Sequence, residues 1–291
     1  MKNPICTILT ILALVGLAGC QPAASDPTPA PGITVTPALP ATLAPTATSA
    51  PTQAASPTPF TPGLQPHEAV VVKELDEGTL TWTIPYLLYL PESYGQDPQK
   101  KWPLILFLHG SMGRGSDLDI VRGQTLPTVL KDKPDFPFIV VAPQLAATEW
   151  TWAPWIDGLD GLLTQLESEL SVDPDRFILT GFSLGGIDSW DYALQYPDRF
   201  AALVPVAGGY PFAESDLLPQ LCSLNTLPIW IFHSEMDYIV HPGQTYKMIE
   251  TLDACDANLH VTLYTSADHV GTAMTAYAEE ELFTWLLEQK R

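Results

Sequence analysis

The pattern of apolar positions along the chain changes at about residue 67. Beyond it, short runs of consecutive apolar residues alternate with longer segments whose apolar residues recur every three or four positions. Continuous runs such as residues 104–108 and 138–142 are typical of strands that are buried on both faces of a sheet. The pattern predicts strands at residues 70–73, 80–90, 104–108, 138–142, 177–179, 201–206, 227–232 and 259–264.

Predicted helices lie between these strands. In the segment 159–170, Leu162, Leu163, Leu166 and Leu170 share one face. This alternation of strands and helices indicates an α/β fold with a mostly parallel central sheet and helices on both faces. The segments between strands are short, so we expect no large cap domain. The other predicted helices are residues 184–196, 243–252 and 272–288.

The first 19 residues have the composition of an export signal. Lys2 is the only charged residue there, and the apolar run at residues 8–17 is short for a transmembrane helix. The Leu17-Ala-Gly-Cys20 sequence that follows resembles the lipobox of bacterial lipoproteins. That resemblance implies a signal peptide at residues 1–19, a diacylglycerol on Cys20, and an extracytoplasmic, membrane-anchored protein. The alternative is a plain secretory signal with a chance cysteine.

Residues 20–66 are rich in Pro, Thr, Ala and Ser, and Asp26 is their only charged residue. Such a segment cannot bury a core, and frequent proline disfavours helix and sheet. We therefore predict a disordered tether at residues 20–66 and a folded domain at residues 67–291.

The charge of the chain argues against a nucleic-acid partner, and its cysteines favour a disulfide over a metal site. The chain of 291 residues has 33 acidic and 13 basic side chains and a formal net charge of -20, so its surface repels nucleic acid. In an exported domain disulfides persist, and we expect Cys222 and Cys255 to be bridged, with two buried free thiols as the alternative. Neither cysteine has metal-ligand spacing to a histidine.

One segment carries the strongest chemical signal. Gly181-Phe-Ser-Leu-Gly185 follows a predicted strand and opens a predicted helix, as in the G-x-S-x-G nucleophile elbow. The turn is so tight that only small residues fit two positions either side of Ser183. The serine then lies near a helix N-terminus, where free N–H groups favour negative charge.

Two further candidates lie just past predicted strands. Asp237 follows the strand that ends near residue 232, and His269 follows the strand that ends at residue 264. Active residues of open α/β sheets collect at this edge, and the order Ser183, Asp237, His269 is that of α/β-hydrolases. Ser183 is then the nucleophile, His269 the base and Asp237 the acid that orients the base. Glu235 and His241 stay open as alternative acid and base.

The sequence His109-Gly-Ser111 follows the strand 104–108. The backbone N–H groups of Ser111 and Leu184 are the expected oxyanion hole for an ester carbonyl. His109 is expected to order this loop rather than to act as a base.

A loop with three tryptophans follows the strand 138–142 and therefore lies at the same edge of the sheet. Trp150, Trp152 and Trp155 are candidates to line an aromatic or sugar-binding pocket. The alternative is a loop packed over the edge of the sheet.

Residues 109–117, 181–209, 233–242 and 264–287 together resemble one family. It is the group of exported α/β-hydrolase esterases that holds polyhydroxybutyrate depolymerases, feruloyl esterases and prolyl-oligopeptidase-like peptidases. The similarity covers about residues 69 to 291, and it implies the α/β-hydrolase fold and the same three roles for Ser183, Asp237 and His269. The chain departs from the family at Ser234, usually a glycine, and at residues 270–274, where an aromatic is common.

The sequence thus predicts a lipid-anchored serine hydrolase that cleaves a small or polymer-linked carboxylic ester. A prolyl-oligopeptidase-type peptidase and a non-catalytic binding module are the alternatives. No metal or organic cofactor is implied, and the oligomeric state is left open.

Overall fold

A computed structural model describes residues 60–210 and 218–291. The predictions for the signal peptide, for the lipidation of Cys20 and for most of the tether lie outside these residues. No helix in the described segments is both long enough and apolar enough to cross a bilayer.

The described residues form one eight-stranded sheet in the order β1-β2-β4-β3-β5-β6-β7-β8. The two pairings that involve β2 are antiparallel, and β4, β3 and β5 to β8 are parallel to one another. This order confirms the predicted α/β-hydrolase fold with a mostly parallel sheet. The strands are β1 (Gly63–Leu75), β2 (Gly78–Leu90), β3 (Trp102–Leu108), β4 (Ile139–Pro143), β5 (Val172–Phe182), β6 (Ala202–Val206), β7 (Ile229–Ser234) and β8 (Leu259–Tyr264).

Helices cover the sheet on both sides, as predicted. Successive side chains of β3 point to opposite faces, so Leu104 and Leu106 join one apolar cluster and Ile105 and Phe107 join the other. Helices α3, α4 and α5 pack on the first cluster, and α1, α2, α6 and α7 pack on the second. The helices are α1 (Leu118–Arg122), α2 (Thr125–Val129), α3 (Ile156–Glu169), α4 (Leu184–Gln195), α5 (Pro242–Asp253), α6 (His269–Ala276) and α7 (Glu280–Glu288).

The predicted start of the folded domain, residue 67, is too late. Strand β1 begins at Gly63, and it pairs with β2 from Gly63 opposite Leu90 to Leu75 opposite Gly78. The first residues of β1 include Pro66, which an edge strand tolerates because one side of its backbone is unpaired. The strand thus begins within the proline-rich segment, whose composition predicts disorder.

The predicted helix at residues 272–288 is also wrong, because the chain forms two helices that are separated at residues 277–279. The Tyr277 side chain is buried against the sheet, and its hydroxyl lies 2.8 Å from the hydroxyl of Thr180 in β5, within hydrogen-bond distance. The Tyr264 hydroxyl donates to the Glu279 carboxylate at 2.6 Å. These contacts fix the break, and α6 is left as a short helix that begins at His269.

A disulfide joins Cys222 to Cys255, whose Cα atoms lie 5.8 Å apart. It connects the 3₁₀ segment Leu218–Leu224 to the residues just after α5. The bridge lies beside the helical layer and contributes no group to the site described below.

Candidate active site

Ser183 lies at the turn between β5 and α4 in a strained backbone conformation. Its φ of 56° and ψ of -116° lie outside the regions that side chains ordinarily adopt. Such strain costs about 1–3 kcal/mol and persists only where the surroundings enforce it. Here the Ser183 N–H donates to the Val206 carbonyl at 3.0 Å, and the Ile187 N–H donates to the Ser183 carbonyl at 2.8 Å.

The two glycines of the elbow are required by close backbone contacts. A Cβ atom at Gly181 would lie 2.2 Å from the Gly185 carbonyl oxygen. One at Gly185 would lie 2.0 Å from the Leu108 carbonyl oxygen. The elbow therefore packs directly against the end of β3, and the loop after β3 is brought beside Ser183.

The structure brings the three predicted catalytic side chains into one hydrogen-bonded chain. His269 Nε2 lies 2.8 Å from Ser183 Oγ, and His269 Nδ1 lies 2.7 Å from Asp237 Oδ2. Because the carboxylate accepts from Nδ1, the neutral ring presents its Nε2 lone pair to the serine hydroxyl. The Phe182 ring packs on the His269 ring with centroids 4.9 Å apart. This arrangement can remove the Ser183 proton during attack on a carbonyl.

Asp237 is the carboxylate that reaches His269, although it is only 1% exposed. Its Oδ1 accepts from the N–H groups of Ile239 at 2.9 Å and Val240 at 3.0 Å. These donors offset the loss of water around a buried charge. Of the alternative residues, Glu235 is exposed, and His241 caps α5 by accepting from the Gly243 N–H at 3.1 Å.

The oxyanion loop, residues 109–113, is fixed by His109. The Leu145 N–H donates to His109 Nε2 at 3.0 Å, so the proton of the neutral ring is on Nδ1, which donates to the Gly110 carbonyl at 2.7 Å. The Gly110 carbonyl and the Ser111 N–H belong to one trans peptide and point in opposite directions. By holding the carbonyl inward, His109 turns the Ser111 N–H away from itself, as an oxyanion donor requires.

Two further observations fit this role. Within the described parts of the chain, neither the Ser111 N–H nor the Leu184 N–H donates to another protein group. Burial lowers the pKa of His109 to about 4, so the ring stays neutral near neutral pH and keeps this hydrogen-bond pattern. His109 is therefore unsuited to act as a general base.

The three tryptophans do not line one pocket, which corrects the prediction for Trp152. Trp152 is 1% exposed and packs its ring edge against His109, with centroids 4.8 Å apart. Its Nε1 donates to the His109 carbonyl at 3.3 Å. Trp155 is partly buried against the core, and only Trp150 is freely accessible, at 76% exposure. The alternative of a packed loop therefore holds for Trp152, because its ring is buried and its indole N–H group has a hydrogen-bond acceptor in the protein interior.

Arg114 links the oxyanion loop to the exposed tryptophan. Its Nε donates to the Ser111 carbonyl at 2.9 Å, and its Nη1 donates to the Glu149 carbonyl at 2.7 Å. The guanidinium carbon lies 4.3 Å from the centroid of the Trp150 ring. The cation–π contact and the two hydrogen bonds hold Trp150 beside the loop that carries Ser111.

Asp188, on α4, is a buried carboxylate that sequence reasoning missed. It accepts from the Thr151 hydroxyl at 3.0 Å and from the Trp152 N–H at 2.8 Å. Burial raises its pKa to about 6, while these two hydrogen bonds oppose the rise. The sequence gives little indication that Asp188 is buried, because its hydrogen-bond partners, Thr151 and Trp152, lie more than 30 residues earlier in the chain.

A metal centre finds no support in the described residues. No group of three or more His, Cys, Asp or Glu side chains in residues 60–210 and 218–291 is arranged to hold an ion.

Comparison with known proteins gives a consistent class. The sequence profile of the Dienelactone hydrolase family matches residues 149–280, which include Ser183, Asp237 and His269. The probable feruloyl esterase C of Aspergillus niger is 30% identical over 129 residues, 43% of this chain and 46% of that protein. The bifunctional acetylxylan esterase/xylanase XynS20E of Neocallimastix patriciarum is 26% identical over 155 residues, 51% of this chain and 20% of that protein.

Among solved structures, a thermostable esterase superposes with a TM-score of 0.61 at 26% identity, over 77% of this chain and 63% of that one. The described residues have the α/β-hydrolase fold. The sequence is similar to that of feruloyl and acetylxylan esterases and the structure to that of a thermostable esterase, which confirms the resemblance to this group. The chain spans less than half of the length of the curated relatives named above.

Proposed function

We propose that this chain is a serine esterase that hydrolyses carboxylic esters through an acyl-enzyme. The observation that carries the proposal is the hydrogen-bonded chain from Ser183 through His269 to Asp237, built on a strained elbow. Fold alone does not choose between ester and amide substrates. The resemblance to feruloyl and acetylxylan esterases favours the ester.

In the proposed mechanism, Ser183 Oγ attacks the ester carbonyl while its proton passes to His269 Nε2. The tetrahedral oxyanion accepts hydrogen bonds from the Ser111 and Leu184 N–H groups, and Asp237 stabilises the imidazolium. The C–O bond to the alcohol then breaks, and the alkoxide takes the proton from His269. A water deprotonated by His269 attacks the acyl-enzyme, a second oxyanion forms, and the acid leaves as Ser183 recovers its proton.

The substrate is proposed to be an uncharged ester with an apolar acyl or alcohol part. Large apolar side chains that neighbour the site residues Ser111 and Asp237 in sequence are exposed: Met112 at 81%, Tyr238 at 81% and Ile239 at 74%. Such side chains favour contact with apolar groups of a ligand. An aryl or acetyl ester linked to a polysaccharide would fit the names of the relatives.

The test is hydrolysis of phenyl acetate and methyl ferulate by the purified protein and by its Ser183→Ala variant. We expect turnover by the wild type, loss of at least about 10⁴-fold in the variant, and unchanged thermal stability, because alanine keeps the Cβ atom and the backbone conformation of Ser183. Undiminished turnover by the variant would overturn the mechanism. Turnover of a peptide anilide with no turnover of any ester would transfer the proposal to the peptidase alternative, and a protein with neither activity would support a binding module.

We propose the location and the membrane attachment of the protein from its sequence. Leu17-Ala-Gly-Cys20 supports cleavage before Cys20, lipidation of its thiol and an extracytoplasmic location, with the segment from Cys20 to the start of β1 as a tether. Metabolic labelling of the wild type with a fatty-acid analogue, compared with Cys20→Ser, tests this. Label in Cys20→Ser, or no label in either protein, would contradict it.

A further inference from the structure

A second buried histidine touches the proposed catalytic acid, and the mechanism above makes no use of it. His233 is the fifth residue of β7, and its side chain has no solvent exposure. Burial lowers its pKa, and the hydrogen bond to Val240 and the charge of Asp237 only partly oppose this shift. His233 is thus a neutral ring, with one nitrogen that donates and one that accepts.

The neighbours of His233 determine which nitrogen carries the proton. Nε2 lies 2.9 Å from the Val240 carbonyl oxygen, which can only accept. The proton is therefore on Nε2, and Nδ1 must accept. The Thr245 hydroxyl, 2.7 Å from Nδ1, is the donor. Thr245 is itself 1% exposed, so water does not compete for this hydrogen bond.

The same Nε2–H group also reaches the carboxylate of Asp237. Nε2 lies 3.3 Å from Asp237 Oδ2, the oxygen that accepts from His269 Nδ1. His233 and His269 thus approach one oxygen from two directions. The other oxygen, Oδ1, accepts from the Ile239 and Val240 N–H groups. The buried carboxylate thus accepts three hydrogen bonds, from His269, Ile239 and Val240, and the polar Nε2–H group of His233 lies close to it.

Val240 closes this arrangement into a ring of contacts. Its N–H donates to Asp237 Oδ1, and its carbonyl accepts from His233 Nε2. The loop from Ser234 to Val240 is thus held at its end by both side chains. A shift of the Val240 peptide would move two of the donors that orient Asp237.

We propose that His233 is a positioning residue of the active site, whose Nε2–H group holds the Val240 carbonyl and the Asp237 carboxylate in the arrangement that aligns His269. Thr245 fixes the tautomer that this role needs. The inference rests on the proposed function of Ser183, His269 and Asp237.

The experiment measures two rates for the full chain: covalent labelling of Ser183 by a fluorophosphonate, and hydrolysis of phenyl acetate. We expect His233→Leu to lower the labelling rate and kcat by about tenfold to a hundredfold, because the hydrogen bond that holds the Val240 carbonyl and the polar contact with the Asp237 carboxylate are both lost. KM should stay within about twofold, since His233 acts through Asp237 and not through substrate. His233→Gln, which can present an N–H group at a similar reach, should recover most of the loss. His260→Leu, at an exposed position in β8, is the matched control and should change neither rate.

A double-mutant cycle separates positioning from general support of the fold. In an Asp237→Asn background, His233→Leu should lower the labelling rate by less than about threefold, because the carboxylate on which it acts is absent. Equal losses in both backgrounds, or an unaltered rate in His233→Leu, would overturn the proposal. A wild-type protein that does not react with the probe would instead overturn the proposed function itself.

Thr245→Val provides a second variant should His233→Leu fail to fold. It removes the hydroxyl that donates to Nδ1 and keeps the volume of the side chain. We expect a loss of about threefold to tenfold in the labelling rate with native circular dichroism. Nitrogen NMR of the wild type should show His233 as the Nε2–H tautomer throughout the pH range of activity. An Nδ1–H tautomer there, or full activity of Thr245→Val, would contradict the role assigned to these groups.

Discussion

Two loops at the same edge of the sheet are each held by a buried histidine, and the two rings use opposite nitrogens as hydrogen-bond donor and acceptor. His109 follows β3, donates from Nδ1 and accepts at Nε2. His233, near the end of β7, donates from Nε2 and accepts at Nδ1. Each ring holds a backbone carbonyl, that of Gly110 in one loop and that of Val240 in the other.

The difference lies in what each carbonyl controls. The Gly110 carbonyl sets the direction of the Ser111 N–H, a backbone dipole aimed at the expected oxyanion. The Val240 peptide supplies a donor to Asp237, a full charge on the far side of His269. A neutral histidine suits both tasks, because it offers one donor and one acceptor at fixed angles without adding a charge to the site.

The largest effect is expected in the loop after β7. Asp237→Asn should lower kcat by about 10⁴-fold, because an amide cannot hold the His269 tautomer and stabilise the imidazolium as a carboxylate does. Glu235→Gln, two residues away and exposed, is the matched control and should stay within about twofold of the wild type. Steady-state kinetics on phenyl acetate measures both. The opposite ranking of the two variants would make Glu235 the acid.

The next effect belongs to the loop after β3. His109→Leu should lower kcat by about 10²-fold, comparable to the loss of one oxyanion donor, with little change in KM. His109→Asn can still donate near the Nδ1 position and should retain more activity. Ser111→Ala keeps its backbone N–H and should have a minor effect. If Ser111→Ala proved as damaging as His109→Leu, the Ser111 hydroxyl would be the group that matters.

Asp188 contacts the loop after β3 only indirectly, because it accepts from the Trp152 N–H group and Trp152 donates to the His109 carbonyl. We therefore expect substitution of Asp188 to change the free energy of unfolding. Its pKa is raised to about 6 from 3.8, so the folded state binds this proton more tightly than the unfolded state does. Stability from this group is therefore lost as the pH rises from about 4 to 6. A shift of about two units corresponds to about 3 kcal/mol at most.

The asparagine side chain in Asp188→Asn does not titrate. The free energy of unfolding of this variant should therefore increase relative to that of the wild type as the pH rises from 4 to 7. Urea denaturation at both pH values measures this difference. A difference between the two proteins that stays constant with pH would show that Asp188 does not titrate in this range.

The smallest effects are expected where each loop is bordered by an exposed aromatic ring. Trp150→Ala beside the loop after β3, and Tyr238→Ala in the loop after β7, should each raise KM for methyl ferulate by about threefold, through loss of apolar contact area. Phenyl acetate, the smaller substrate, should respond less. An effect on kcat with KM unchanged would place these rings in the chemistry rather than in substrate contact.

The predictable parts of this molecule are those with a local signal. Apolar runs located the parallel strands, and the strand-end rule located Ser183, Asp237 and His269, which the structure brings together. The burial of Trp152 depends on Asp188 and His109, which are remote in sequence, so no local pattern could reveal it. The break at Tyr277 likewise depends on Thr180, nearly a hundred residues away.

The most direct test of the central claim is covalent mapping of the nucleophile. The protein is treated with a fluorophosphonate, digested, and the modified residue is identified by mass spectrometry, with Ser183→Ala and His269→Ala treated in parallel. We expect a single adduct on Ser183, no adduct in Ser183→Ala, and labelling slowed by several orders of magnitude in His269→Ala. An adduct on another residue of the wild type, or labelling that does not depend on His269, would contradict it.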